Sequence, residues 1–271
     1  MDKPGKLTLT LIALVLTPVL ALAQERVGDF ALIDQNGYHH SMSYLDDHEA
    51  VAFLVQANGS EATEAALSGF LALREQFDSR GIEFLSINPM GLENRAEVAA
   101  EMDRLGSDLP VLMDDHRVIS EAMGISNSGQ MLIFDPARFT VKYRGSVSGA
   151  ETALNEILAG DQVSTPEIAV SGEAVTYEAM TEVPSYVADI APVLAENCAA
   201  CHREGGIAPF AMDSHAMVQG WSPMIREVLM TKRMPPGQID GHIGEFINDM
   251  LVEQSDQQKL LHWIDAGAPR D

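Results

Sequence analysis

The stretch 50–88, AVAFLVQANGSEATEAALSGFLALREQFDSRGIEFLSIN, changes its hydrophobic period twice. Residues 50–57 are an apolar run with the length of a buried strand. In 61–80, Ala65, Leu67, Phe70, Leu71, Leu73 and Phe77 recur at helical spacing, and Gly81 stops the pattern. Residues 82–88 form a second apolar run, closed by Pro89. A strand, a helix and a second strand in this order predict a sheet with a helix on its face.

The pattern continues on both sides. Residues 26–45 hold two short extended runs around a turn at Asn36-Gly37. His39 and His40 follow that turn; as neighbours on a strand they point to opposite faces and read as surface histidines rather than ligands of one metal. Downstream, 93–105 predicts a helix, 109–113 a short strand and 116–123 a short helix. Residues 130–135 and 139–145 predict a hairpin across Pro136-Ala137-Arg138, and 150–159 a last helix. The stretch 161–184 is acidic, rich in Ser, Thr and Pro, and has no apolar face, which predicts a linker.

A different signal begins at 185. Cys198-Ala199-Ala200-Cys201-His202 has the Cys-x-x-Cys-His spacing that attaches a c-type haem. Two thiols so spaced can add to the two vinyl groups of one haem, with the following histidine as proximal ligand. A thioredoxin-like redox pair would open a helix after a strand, whereas this pair closes a helical stretch. A structural zinc site needs about four ligands, and the chain has only these 2 cysteines. Ile190, Leu194 and Cys198 share one helical face, and Asp189 is the expected cap of the helix carrying them. A helix over 217–230 contains Trp221, Met224, Ile225, Val228 and Leu229, with its methionines expected in the core or against the haem. Ser255-Asp256-Gln257-Gln258 has capping-box spacing. It opens a helix with Leu260, Leu261 and Ile264 on its apolar face, stopped by Gly267.

Charge and leader bound the setting. Lys3 and Lys6, an apolar run over 7–20 and Ala21-Leu22-Ala23 make a cleavable export signal over 1–23, with no cysteine for a lipid at the cut. Removing Lys3, Lys6 and Asp2 takes the formal net charge from −23 to about −24. Such a surface disfavours nucleic acid and anionic lipid and suits a basic protein partner or simple solubility.

The strand and helix order over 26–160 resembles the thioredoxin fold, and more closely its peroxiredoxin-like redoxin branch. The matching text is VGDFALID, VAFLVQA, LPVLMDDHRVISEAMGI and MLIFDPARFTVKYRGSV. Redoxins place a reactive cysteine just after the first core strand, which here falls near Asn58. They place a cis-proline before the strand that here begins near Met131, where Gly129 stands instead. Thiol chemistry needs a thiolate, so the resemblance implies a redoxin domain without thiol peroxidase activity, used as a scaffold or docking surface.

Residues 186–271 resemble the class I-like cytochrome c domain found attached to redoxins in some exported bacterial proteins, through DIAPVLAENCAACHREGGIAPF, IREVLMTKRMPP and WIDAGAP. The resemblance implies one covalent haem c on Cys198 and Cys201, iron held by His202, and Met234 of Met234-Pro235-Pro236 as the second axial ligand. His242 is the rival. The resemblance also makes the loop at Pro209 the source of a carbonyl for the Nδ1–H of His202. The expected organisation is a signal peptide over 1–23, a thioredoxin-like α/β domain over 24–160, a linker over 161–184 and an all-α cytochrome c domain over 185–271. The expected function is one-electron transfer between redox proteins in the periplasm or another exported compartment. The alternatives are a peroxidase-like haem enzyme or sensor with a labile sixth ligand, and a partner-binding module.

Overall fold

A computed structural model describes residues 26–90, 94–177, 182–244, 246–247 and 249–271. The expected leader over 1–23 lies outside them. Seven strands form one mixed sheet: β1 (Ala31–Asp34), β2 (His39–Ser41), β3 (Ala50–Val55), β4 (Ile82–Asn88), β5 (Val111–Met113), β6 (Met131–Asp135) and β7 (Thr140–Gly145). Their order is β2-β1-β5-β4-β3-β6-β7. The centre, β3 against β4 and β4 against β5, is parallel, and the outer pairs are antiparallel. The parallel pair β3–β4 needs a crossover, and α1 (Glu61–Phe77) supplies it. The remaining helices are α2 (Arg95–Arg104), α3 (Val118–Ala122), α4 (Val147–Leu158), α5 (Ala191–Asn197), α6 (His215–Met230) and α7 (Gln254–Asp265).

Both faces of the sheet are buried, and β3 shows why its sequence is apolar throughout. Val51, Phe53 and Val55 point into one core, while Ala50, Ala52 and Leu54 point into the other. The period of two thus divides one apolar run between two layers. The second core is closed by Leu67, Phe70, Leu73 and Phe77 of α1, Val98 and Met102 of α2, and Leu154 of α4. The first, built on Phe30, Phe53 and Phe134, runs on through Ile119 to Ile190, Leu194, Val218, Leu261 and Trp263 of the helical C-terminal part.

Polar contacts line the same seam. Arg226 Nη1 donates to the Val27 carbonyl at 2.6 Å. His262 Nε2 meets Glu121 Oε1 at 3.1 Å, His242 Nε2 meets Asp115 Oδ2 at 2.9 Å, and Arg95 pairs with Asp240. The stretch 161–177 packs against the α/β part: Arg144 N of β7 donates to the Pro166 carbonyl and Ile168 N to the Arg144 carbonyl, both at 2.9 Å, and Val175 is buried.

Several local expectations are corrected. The cap before α5 is Ser185, not Asp189: Ser185 Oγ accepts from Ala188 N, while Asp189 Oδ2 accepts from Ser185 N at 2.8 Å. The reciprocal pair starts the helical path four residues earlier, through a π-helical turn over Tyr186–Ile190. The capping box at Ser255 does not form, because α7 already starts at Gln254 with Glu253 as its cap residue. Helix α6 starts at His215, and Pro223 lies inside it. Pro223 cannot donate to the Gln219 carbonyl, and Ser222 Oγ donates to that oxygen instead at 2.8 Å. Of the α6 methionines, Met230 is buried but Met217 and Met224 are exposed.

Candidate functional site

Two places carry the residues singled out by sequence. The first is the turn that ends α5. Buried Ile190, Val193 and Leu194 hold this helix in the core, and Cys198 packs against the same cluster. The Cys198 carbonyl accepts from Cys201 N at 3.2 Å and from His202 N at 2.9 Å, so the Cys-Ala-Ala-Cys-His run is wound into a compact turn. Both thiols are free. Burial pushes the Cys198 thiol up to about 11, so at neutral pH it is protonated.

The following loop is tied back onto this turn. Ala208 N donates to the Cys201 carbonyl at 3.1 Å, and Met212 N to the His202 carbonyl at 2.8 Å. Gly206 makes the approach possible, since a Cβ there would lie 2.2 Å from the Cys201 oxygen. His202 Nδ1 lies 3.0 Å from the Phe210 carbonyl oxygen. The acceptor is Phe210, in the loop that Pro209 marks; Pro209 itself is exposed. A carbonyl only accepts, so Nδ1 must carry the proton. In the neutral ring Nε2 is then the basic nitrogen, and it has no hydrogen-bond partner among the described residues. The ring is fixed further by Phe210, 4.7 Å away between centroids, which in turn stacks on Trp221 of α6 at 4.5 Å.

Met234 sits just past the end of α6. Its N–H donates to the Val228 carbonyl at 3.2 Å, and its side chain is 39% exposed. Pro235 beside it is buried, and the Met234–Pro235 bond is cis. Among the described residues no hydrogen bond links the Met234 side chain to His202. His242, the rival ligand, is engaged with Asp115 on the other side of the seam. The donor set fits a haem c: two free thiols on one turn, an imidazole whose tautomer leaves Nε2 available, and an exposed thioether. Cys198, Cys201 and His202 would hold the group, with Met234 as the outer ligand.

The second place is the turn between β3 and α1. Helix α1 starts at Ser60–Glu61, two residues beyond Asn58, and Ser60 Oγ accepts from Thr63 N at 3.2 Å. Asn58 instead ends a polar chain: Gln56 Nε2 donates to Asn58 Oδ1 at 2.8 Å, and Asn88 Nδ2 to Gln56 Oε1 at 2.8 Å. The residue at the helix start is therefore Ser60, and it too lacks a thiol. Gly129 faces the first turn of α1 with φ +71°; a Cβ there would lie 2.6 Å from the Ala62 carbonyl oxygen. No side chain fits at that point.

Two cavities lie elsewhere, on the seam. One of about 230 Å³ is lined by Glu121, Arg144, Arg226 and His262, and one of about 360 Å³ by Asp29, Met224, Arg226 and Arg233. Neither is lined by Cys198, Cys201 or His202.

The N-terminal part has a thioredoxin-like α/β fold. Within that class, residues 23–150 match the AhpC/TSA family, which makes this part a redoxin domain. Among solved structures, the chain is similar to a hypothetical protein of Sinorhizobium meliloti 1021. The identity is 19% and the TM-score 0.50, over 58% of this chain and 95% of the other. It is also similar to an uncharacterized conserved protein of Geobacillus kaustophilus, at 16% identity and TM-score 0.51, over 58% and 93%. The peroxidoxin BcpB of Mycobacterium tuberculosis aligns at 20% identity and TM-score 0.42, over 50% and 96%. No curated protein matches the sequence.

Proposed function

We propose that the protein is an exported monohaem c-type cytochrome that passes single electrons between extracytoplasmic redox proteins, built on a redoxin domain that has lost its thiol chemistry. The observation that carries this reading is the tautomer of His202. The Phe210 carbonyl accepts a hydrogen bond from Nδ1–H and so leaves the Nε2 lone pair free, directly after two free cysteines at haem-attachment spacing. A bound haem supplies a one-electron iron couple. Cys198 and Cys201 would anchor it, His202 would hold the iron on one side, and Met234 would close the other. A thioether partner favours ferrous iron and raises the potential above that of a bis-histidine site.

The redoxin domain acts as a scaffold: its apolar core is continuous with that of the helical part. The formal charge of −23 favours basic redox partners. A redox titration followed by absorption spectroscopy, on protein made in a cytochrome-maturing host, tests the reading. One low-spin haem titrating as a single-electron couple and refusing carbon monoxide is expected. A high-spin ferrous form that binds carbon monoxide readily would replace electron transfer by a haem enzyme or sensor. A colourless product would remove the haem altogether.

A further inference from the structure

The start of α1 at Ser60 is covered here by residues 172–177 of the chain itself. Residues 172–177 run antiparallel to 125–128, with a bridge between Asn127 and Ala174. Ser128 N donates to the Glu173 carbonyl at 2.9 Å, and Val175 N to the Ser126 carbonyl at 2.9 Å. Tyr177 Oη closes the end by donating to the Ile125 carbonyl at 2.8 Å, and Arg117 Nη1 donates to the Thr176 carbonyl at 2.9 Å. At the other end, the Glu173 carboxylate enters between α1 and this segment, where Oε2 accepts from the hydroxyls of both Ser60 and Ser128.

We infer that the slot between the first turn of α1 and residues 125–129 is a receptor for an extended peptide of Gly-Glu type, and that residues 172–177 of this chain are its resident ligand. The inference does not depend on the haem. Three independent features define the ligand class. The two hydroxyls that read the carboxylate are buried, Ser60 at 5% and Ser128 at 0% exposure, so their orientation is set by packing. They lie at the N-terminus of the 17-residue α1, where the unpaired N–H groups and the helix dipole favour an anion. Hydrogen bonds from Ser128 and Ser60 hold the Glu173 carboxyl below its usual range, which agrees with an ionised ligand.

The second feature is steric. A Cβ at Gly172 would lie 2.2 Å from the Ser128 carbonyl oxygen, so only glycine can precede the glutamate. Asn127 Nδ2 also donates to the Gly172 carbonyl at 3.1 Å. The third is the strand-like backbone pairing, which gives affinity without reading side chains. Position 129 serves the slot as well, because the bare glycine there lets the segment 125–129 lie close to α1. With the ligand tethered, its effective concentration is on the order of millimolar. A peptide in solution therefore meets a closed slot in the unaltered protein.

The test uses the full chain and a fluorescein-labelled peptide, Ser-Gly-Glu-Ala-Val-Thr-Tyr, read by anisotropy. The Gly172→Val variant expels the linker and should bind this peptide at least about tenfold more tightly than the unaltered protein does. A peptide with Gln for Glu should bind the same variant at least about tenfold more weakly, because the charge-assisted bonds are lost. Adding Ser60→Ala and Ser128→Ala to the opened variant should abolish the difference between the two peptides. Equal binding of both peptides to Gly172→Val, or no binding to a variant with an unchanged circular dichroism spectrum, would overturn the inference. Hydrogen exchange gives a second reading independent of that variant. In Glu173→Gln the amides of Ser128 and Val175 should exchange about tenfold faster; unchanged rates would equally overturn it.

Discussion

His202 donates its Nδ1 proton to the carbonyl of Phe210 at 3.0 Å, and the Phe210 ring stacks on Trp221. The orientation of the imidazole is thereby tied to α6. In the Phe210→Ala variant the carbonyl stays but the loop loses its anchor. A loss of about 1–3 kcal/mol in stability is expected, readable as a lower urea midpoint. A redox potential that shifts with it would show that the anchor also orients the ring; a variant as stable as the parent would show that the stack holds nothing.

Met234 and His242 make opposite predictions about the second ligand. His242 is already paired with Asp115 across the seam at 2.9 Å, whereas the Met234 side chain is exposed. Oxidised spectra of holoprotein should therefore lose the sulfur-to-iron charge-transfer band in Met234→Ala and keep it in His242→Ala. The reverse pattern would assign the iron to His242.

The thiol of Cys198 offers a pH test on the haem-free polypeptide. Its folded value of about 11 lies above the ordinary 9.0 because burial disfavours the thiolate. Its contribution to stability is therefore complete below about 9 and declines as pH rises through about 11. Alkylation of Cys198 should remain slow at pH 8 and accelerate above pH 10. Rapid alkylation at pH 8 in folded protein would contradict the burial.

Gly129→Ala should be costly. The left-handed backbone, φ +71°, and the carbonyl of Ala62 at 2.6 Å from the added carbon leave no room. A destabilisation of about 1–3 kcal/mol or more is expected from the strained conformation alone. Thermal unfolding reads it, and an unchanged midpoint would mean that the two segments can part freely.

No thiol-dependent peroxide reduction is expected from the redoxin domain, because Ser60 stands at the start of α1 and both cysteines of the chain, Cys198 and Cys201, lie outside residues 26–160. The full chain with Cys198→Ser and Cys201→Ser, supplied with hydroperoxide and a thiol reductant, should turn over no faster than the blank. Turnover above the blank would locate a chemistry that needs no cysteine.

Much of this was legible in the chain itself. Period-two and helical runs are local, so β4 could be read at 82–88 and α1 from residue 61, although α1 ends at Phe77 and a 3-10 turn over Asp78–Arg80 runs on to Gly81; the Cys198–His202 spacing is local too. The absence of a thiol from the N-terminal half is a plain reading of composition. What lay beyond the sequence were relationships between distant residues. Asp189 looked like a cap, but Ser185 holds that role: its hydroxyl accepts from Ala188 N, while the Asp189 carboxylate turns back to accept from Ser185 N. His242 read as the rival ligand, and folding sets it against Asp115; Pro209 marked the loop, and the carbonyl in it that reaches His202 belongs to Phe210. The stretch 161–177 was the least legible, since it has no apolar periodicity. Its order comes from backbone pairing with 125–128 and from the Glu173 carboxylate between Ser60 and Ser128. Hydrogen bonds of that kind leave no period in a sequence, because any residue's backbone can make them, and only the tertiary structure decides which segment does.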